Sequence, residues 1–352
     1  MNRPFPILPT DMRYKSASSF VRTIIAMAAA KGNAVHSYEL AASRWGADST
    51  PATVLKAAVP AMGTAAGASG AELVAWEGAA AEYFALVRER TLLGRMAGIR
   101  RVPLRTRMVT QATGTTASWV GEGKAVPVSS GSYLEDNMAP LKVCALSVIT
   151  EELAESSDPA AEAVVREDLL VAMAAAIDLT FIDPANAGTA GVKPASITNG
   201  ATSSASAGID SDAIWTDLEA LISNFEGELE RAYFVASPLT LSRIALRLEL
   251  SKLGARGGAI LGIPALPSKA AEGSLILIDP ATIIMGASEV DVRVSTQATI
   301  EMQTAPTANS LTGSGTTAVN LWQTNSVGIM VGQGLNFERA QPGVSLVTGV
   351  AY

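Results

Sequence analysis

Apolar positions along the chain change period several times, and those changes divide it. Between residues 1 and 50, Phe20, Ile24, Met27 and Ala28 fall on one face at helical spacing. Residues 57–71, AAVPAMGTAAGASGA, carry small and glycine-containing sequence that cannot pack a core, which predicts a linker. A helix is predicted over Ala79–Met96, with Tyr83, Val87 and Arg90 on one side and Gly98 at its end. From Leu104 to Ile149 the pattern turns to Thr, Val, Ser and Gly around a turn-rich centre at residues 121–132. The β-prone run Leu141–Thr150 follows, which predicts a long two-stranded excursion with a flexible tip.

Downstream, Asp158 followed by Pro159 is the arrangement of a helix start. Val165, Leu169, Met173, Ile177 and Phe181 then recur at steps of four until Asp183 and Pro184 stop the helix, predicting a rod of roughly 35 Å. Residues 185–211, rich in Gly, Ser, Thr and Ala, read as a surface loop. An alternating module comes next: helix at Asp212–Phe225, strand at Ala232–Ala236, helix at Pro238–Leu253, and strands at Leu275–Ile278 and Val290–Val294. After a polar loop between Thr304 and Gly315, β character returns at Ala318–Ile329 and Val344–Val347.

Composition narrows the functional classes. Hydrophobic residues make up 48% of the 352 but aromatics only 5%, so aromatic-lined ligand pockets are not expected. The net charge of -7 conceals an asymmetry: residues 1–110 carry 14 Lys and Arg against 7 Asp and Glu, the remainder 12 against 26. A basic arm on an acidic body suits self-association and argues against sequence-specific nucleic-acid recognition. Cys144 is the single cysteine, which excludes an intrachain disulfide, fits a reducing compartment, and reads as a small apolar filler. The apolar stretch at Phe20–Ala30 is broken by Arg22 and followed by Lys31, too short for a membrane span or a signal peptide.

Catalytic chemistry has little to stand on. His36 is the only histidine, which excludes histidine-clustered metal sites and reads as incidental. Phosphate-binding loops, dinucleotide fingerprints and nucleophile elbows are missing from the sequence. Glu151, Glu152 and Glu155 sit at a helix approach, where a solvated acidic face near the positive dipole is the simpler reading. The expectation is no enzyme, no cofactor and no metal.

Taken in order, these parts resemble the major capsid protein family of tailed bacteriophages. The resemblance is carried by TLLGRMAGIRRVPL at residues 91–104, ASWVGEGKAVPVS at 117–129 and LKVCALSVITEELAESSDP at 141–159. It continues in AYFVASPLTLSRIALRL at 232–248 and AILGIPALPS at 259–268, and covers about residues 72–350. It implies an α+β fold: the phage major capsid fold with an N-terminal arm, an extended β-hairpin loop, a peripheral domain with a long spine helix, and a mixed α/β axial domain. The corresponding segments are a helical and linker segment at 1–71, in the family often an assembly-directing region, then the arm at 72–103 and the extended loop at 104–149. The peripheral domain follows at 150–210, the axial domain at 211–315, and a closing β segment of the peripheral domain at 316–352.

By the same resemblance the chain is a shell subunit that assembles with copies of itself into hexamers and pentamers around non-specifically enclosed double-stranded DNA. It would be built in the bacterial cytoplasm and reside in the virion, with portal, scaffolding and decoration proteins as further partners and no membrane. The alternative is an encapsulin-like compartment holding enzyme cargo. Contact candidates between subunits are Arg100, Arg101, Arg105, Arg107, Trp119, Glu122 and Lys124. Some members of the family weld their shells by an isopeptide bond between a loop lysine and a neighbour's asparagine. Lys124 with Asn320, Asn325 or Asn336 are the positions for such a bond, and a solvated loop lysine is the plainer reading.

Overall fold

The computed structural model describes residues 10–30, 33–56, 87–113, 118–120, 122, 124–125, 128, 132–152, 159–303 and 318–352. The predicted linker at 57–71, residues 79–86 of the predicted helix at 79–96, Glu155, the Asp158 cap and the loop at 304–315 lie outside them. The chain forms two compact units. One comprises residues 1–90, 144–174 and 289–333; the other comprises 91–143, 175–288 and 334–352.

In the first unit, helices α1 (Thr10–Ala29), α2 (Ala34–Trp45) and α3 (Thr50–Leu55) pack through a small alanine-rich core of Ala26, Ala41 and Ala52. Each turn between them is set locally. Asn33 caps α2 by accepting from the amides of Val35 and His36, and Ser49 caps α3 by accepting from Ala52. Ile24 and Ala28 are buried as their spacing predicts. A two-stranded sheet of β12 (Thr299–Glu301) and β13 (Ala318–Asn320) also belongs here.

The second unit is organised around a seven-stranded mixed sheet. Its order is β5 (Thr202–Ala205), β15 (Val344–Thr348), β10 (Ser274–Ile278), β6 (Tyr233–Ala236), β9 (Ile263–Pro267), β8 (Gly257–Ile260) and β7 (Leu253–Gly254). One face carries Phe234, Ala236, Leu275, Leu277 and Val347 into a core with α6 (Ser211–Ser223) and α7 (Pro238–Arg247). Alternation sends Val235, Ile276, Ile278 and Leu346 to the opposite face, where they too are buried. Strands covered on both sides read as continuous apolar runs, which is why SLILI and YFVA are so hydrophobic.

Three expectations need correction here. Val344–Thr348, expected in the closing β segment at 316–352, pairs with β10 and, in parallel, with β5, so it completes the sheet of the module at 211–315. Conversely β11 (Ile283–Ser295), inside that module by sequence, joins the four-stranded sheet β1–β11–β14–β4, with β1 at Arg100–Arg101, β14 at Ser326–Arg339 and β4 at Lys142–Thr150. Finally, the helix expected over 238–253 ends at Arg247. Glu249 takes a left-handed φ of 53°, and the Leu250 amide reaches back to the Ala245 carbonyl in a Schellman closure.

Helix α5 (Pro159–Ile182) is the longest among the described residues. Leu169, Met173, Ile177 and Phe181 are all buried, one above another as steps of four require. Phe181 meets Phe337 edge to face at 5.1 Å between ring centres. Past its end the segment expected to be a plain surface loop is instead tightly tied. The buried Asn186 amide nitrogen donates to the carbonyls of Thr180 and Pro194, and its oxygen accepts from Gly188. Thr198 Oγ1 donates to the Ile182 carbonyl, so the polar residues of this loop satisfy the open end of the helix.

Candidate assembly surfaces

The extended excursion begins at a fixed foot. Met138, fully buried, packs with Ile284, Val102 and Leu104, and β11 is Gly286 at this point, where a Cβ would stand 2.7 Å from Leu104 and 2.9 Å from Met138. Arg105 adopts a left-handed φ of 64° and its amide donates to the Met138 carbonyl at 2.8 Å, which starts the ladder. From there β2 (Arg107–Thr113) pairs antiparallel with β3 (Ser132–Asn137), from Arg107 opposite Asn137 to Thr113 opposite Ser132, with a register shift between Gln111 and Thr113.

The return strand is therefore Ser132–Asn137, not the apolar run at 141–150. Pro140 has no amide hydrogen to continue the ladder, and Lys142–Thr150 goes to the four-stranded sheet as β4. Sequence polarity misled: SYLEDN looks like turn material, yet it forms half of a ribbon that, among the described residues, is a sheet of two strands.

At the described positions of the tip, Trp119 is fully exposed, and Glu122, Lys124 and Val128 are exposed. Arg100 and Arg101 are exposed on β1, held parallel to Ile284 and Met285, and Arg105 and Arg107 are exposed at the hairpin foot. These cations thus flank one element, the ribbon and its base. Of the asparagines, Asn320 Oδ1 accepts from the Trp322 amide in the turn between β13 and β14, and Asn325 closes that turn with a φ of 48°. Asn336 spends its Nδ2 on the Ala139 carbonyl at 2.8 Å. Cys144 is exposed, contrary to its reading as a small apolar filler, because strand alternation turns it outward with Lys142 and Leu146. His36 lies on the surface of α2 with Nδ1 3.7 Å from Glu39.

A buried polar node that the sequence reading passed over fastens the segment before the ribbon. The helix expected to run through residue 96 breaks at Thr91, whose Oγ1 accepts from Gly94 to start the short α4 (Leu92–Arg95). The first amide of that turn, on Leu92, donates at 2.8 Å to Asp178 Oδ1 on α5, and Ser268 Oγ donates to Oδ2 at 3.0 Å. Arg95 donates to the Pro267 carbonyl at 2.7 Å, and the Ala97 amide reaches the Tyr233 hydroxyl. Burial raises the Asp178 pKa to about 6, against the opposing pull of the Leu92 and Ser268 hydrogen bonds and of Arg95. The one signal available beforehand was a lone carboxylate inside the apolar run MAAAID.

Among the described residues no group of three or more His, Cys, Asp or Glu is placed to hold a metal ion, and no helix is long and apolar enough to cross a membrane. Residues 71–314 match the phage capsid family. A curated relative, the capsid polyprotein of Pseudomonas phage PAJU2, is 32% identical over 323 residues, covering 86% of this chain and 48% of the relative, so the chain spans about half the length of that protein. Among solved structures the chain is similar to one from Gordonia phage Cozz, at 16% identity and a TM-score of 0.49 over 76% of this chain and 87% of that one. It is also similar to the capsid of a native GTA particle, at 13% identity and a TM-score of 0.48 over 76% and 91%. With the family match spanning residues 71–314, more than half of its length, the chain belongs to the phage capsid family.

Proposed function

We propose that this protein is a major capsid subunit that assembles with its own copies into hexamers and pentamers of an icosahedral shell. The observation that carries the reading, beside family membership, is the β2–β3 ribbon. A two-stranded ribbon is only marginally stable alone in water, and this one leads to an exposed tryptophan and valine. Such a projection acquires its burial from a neighbour. A shell built of many repeated weak contacts requires projections of this kind from every subunit.

In this assignment residues 72–103 are the arm and the ribbon is the extended loop. Arg100, Arg101, Arg105, Arg107, Trp119, Glu122 and Lys124 contact adjacent subunits, and residues 1–71 direct assembly. The role is structural, not catalytic. The enclosed cargo is double-stranded DNA held without sequence preference, since the acidic excess after residue 110 keeps the bulk of the subunit from gripping phosphate. The shell resides in the virion, is assembled in the host cytoplasm, and meets portal, scaffolding and decoration proteins.

Electron microscopy of the expressed chain, with nuclease protection of particles from its native source, tests this. Closed shells that shield DNA are expected. Soluble monomers under every assembly condition would overturn the reading, and shells filled with protein would move it to a cargo compartment.

A further inference from the structure

Residues 91–97 form a short connector within the second unit, just ahead of β1. Leu92, Leu93 and Met96 are buried, whereas Ala97 and Gly98 are exposed. Gly98 has a φ of 99°, a conformation open to glycine, and supplies a pivot at the downstream end. Polar ties run from the Leu92 amide to Asp178, from Arg95 to the Pro267 carbonyl and, at 3.4 Å, from the Ala97 amide to the Tyr233 hydroxyl. Ser268, next to Pro267, donates to the second oxygen of Asp178. The connector is therefore pinned where α5 meets the end of β9, and one buried carboxyl group sits at that junction.

The junction suits a neutral carboxyl better than a charged one. Once protonated, Asp178 still accepts from Leu92 through Oδ1, and its own hydroxyl can donate to Ser268 Oγ, so no polar group is stranded. Once ionised, it is a charge held out of water. Arg95 is the cation that acts on it, but the Arg95 guanidinium donates to Pro267 at 2.7 Å instead of pairing with the carboxylate. The other elements around Asp178 bring no further charge to it. Ser268 is uncharged, Lys269 beside it is exposed, the Tyr233 hydroxyl of β6 already accepts from Ala97, and α5 itself contributes the buried Ala174, Ile177 and Ile182.

We propose that Asp178 is a proton-operated latch on the connector: the protonated carboxyl keeps residues 91–97 seated, and the ionised one lets them lift about Gly98. The proton passes to bulk water, and lifting lets water reach the carboxylate that remains. The shift of Asp178 to about 6 puts this change near neutrality, where an unperturbed carboxylate would be charged throughout. Lifting also uncovers Leu92, Leu93 and Met96, apolar side chains ahead of the ribbon. The use of the latch rests on the shell-subunit reading, in which it governs when the arm is free to engage a neighbouring copy; the latch itself belongs to the single subunit.

Amide hydrogen exchange of the full-length, unassembled subunit, corrected for the intrinsic effect of pH, tests the latch. The Leu92, Met96 and Ala97 amides are expected to open about tenfold more at about pH 7.5 than at about pH 5, since opening exposes Asp178 to water. They should also exchange well ahead of Ile276 in the core of the seven-stranded sheet, because the opening is local. Asp178→Asn, with nothing to ionise, should show one connector opening at both pH values. Ser268→Ala, which removes a hydrogen bond from the charged form, should move the midpoint to higher pH and keeps the test available if the asparagine variant folds poorly. Connector amides that exchange in step with Ile276, or that open equally at both pH values in the wild type, would overturn the latch. Particle formation plays no part in this readout, so a chain that forms no shells would sink the shell reading and leave the latch in place.

Discussion

Asp178 Oδ1 accepts the Leu92 amide hydrogen at 2.8 Å across 86 positions of sequence, joining the long helix to the first turn of the segment that leads into the ribbon. The contact works because a helix start leaves its first amides without internal partners and a carboxylate is well placed to accept from one of them. Replacing Asp178 by Leu strands the buried Leu92 amide and the Ser268 hydroxyl together. Asp178→Leu is expected to cost roughly 2–4 kcal/mol in urea unfolding, and Asp178→Asn, which keeps an oxygen for Leu92, much less.

The same carboxylate sets a pH dependence. Its pKa is about 6 in the folded chain against an ordinary 3.8, so the folded state holds a proton that the unfolded chain has already released between those values. Stability from this group is fully present below about pH 4 and is lost as pH rises through about 6, a fall of about 3 kcal/mol. Asp178→Asn removes that fall. Unfolding free energies of the two proteins between pH 4 and 7 should therefore differ in slope, and parallel curves would contradict the assignment.

What the sequence exposed and what it hid divide along a physical line. The burial of Leu169, Met173, Ile177 and Phe181, and the strands at 233–236 and 274–278, are legible because periodicity and apolar runs are local properties. Pairing is not local. Nothing in residues 344–348 announces β10 and β5 as partners, and the polar SYLEDN could be recognised as a strand only through its pairing with residues 107–113. Asp178 was visible as an anomaly, but Leu92 and Ser268 lie 86 and 90 positions away. The surface cations and Trp119 could be named from sequence, whereas the left-handed φ of 53° at Leu261 is a property of the folded backbone.

Glu249 offers a simple gain. It occupies the left-handed position that closes α7, at φ 53°, where glycine has no Cβ to crowd the carbonyl. Its side chain is exposed. Glu249→Gly should stabilise by about 0.5–1 kcal/mol, read as a small upward shift in Tm, while Glu249→Val should lower it.

Gly258 predicts the opposite. At φ 143° a Cβ would stand 1.9 Å from the Lys252 carbonyl oxygen and 2.9 Å from Leu253 Cα, both backbone atoms that cannot step aside without opening the β7–β8 pairing. Gly258→Ala should cost about 3 kcal/mol or more, detected by thermal unfolding of the unassembled subunit. Gly254→Ala at the same hairpin is the comparison, since a Cβ there meets nothing within 4 Å.

Trp119 separates folding from assembly at the ribbon tip. Its ring is fully exposed, so it contributes almost nothing to the stability of a single subunit. At an interface, a rigid aromatic of this size is the kind of residue that carries a disproportionate share of binding. Trp119→Ser is thus expected to leave Tm within about 1 °C of the wild type while raising the protein concentration for half-maximal assembly by about tenfold. The direction of the split matters more than its size. A large loss of Tm would mean that the ring is buried within its own subunit, and unchanged assembly would mean that the ribbon tip lies free in the shell. Either result would remove the tryptophan from the set of contacts, whereas the split itself would make the tip a grip on the neighbouring subunit.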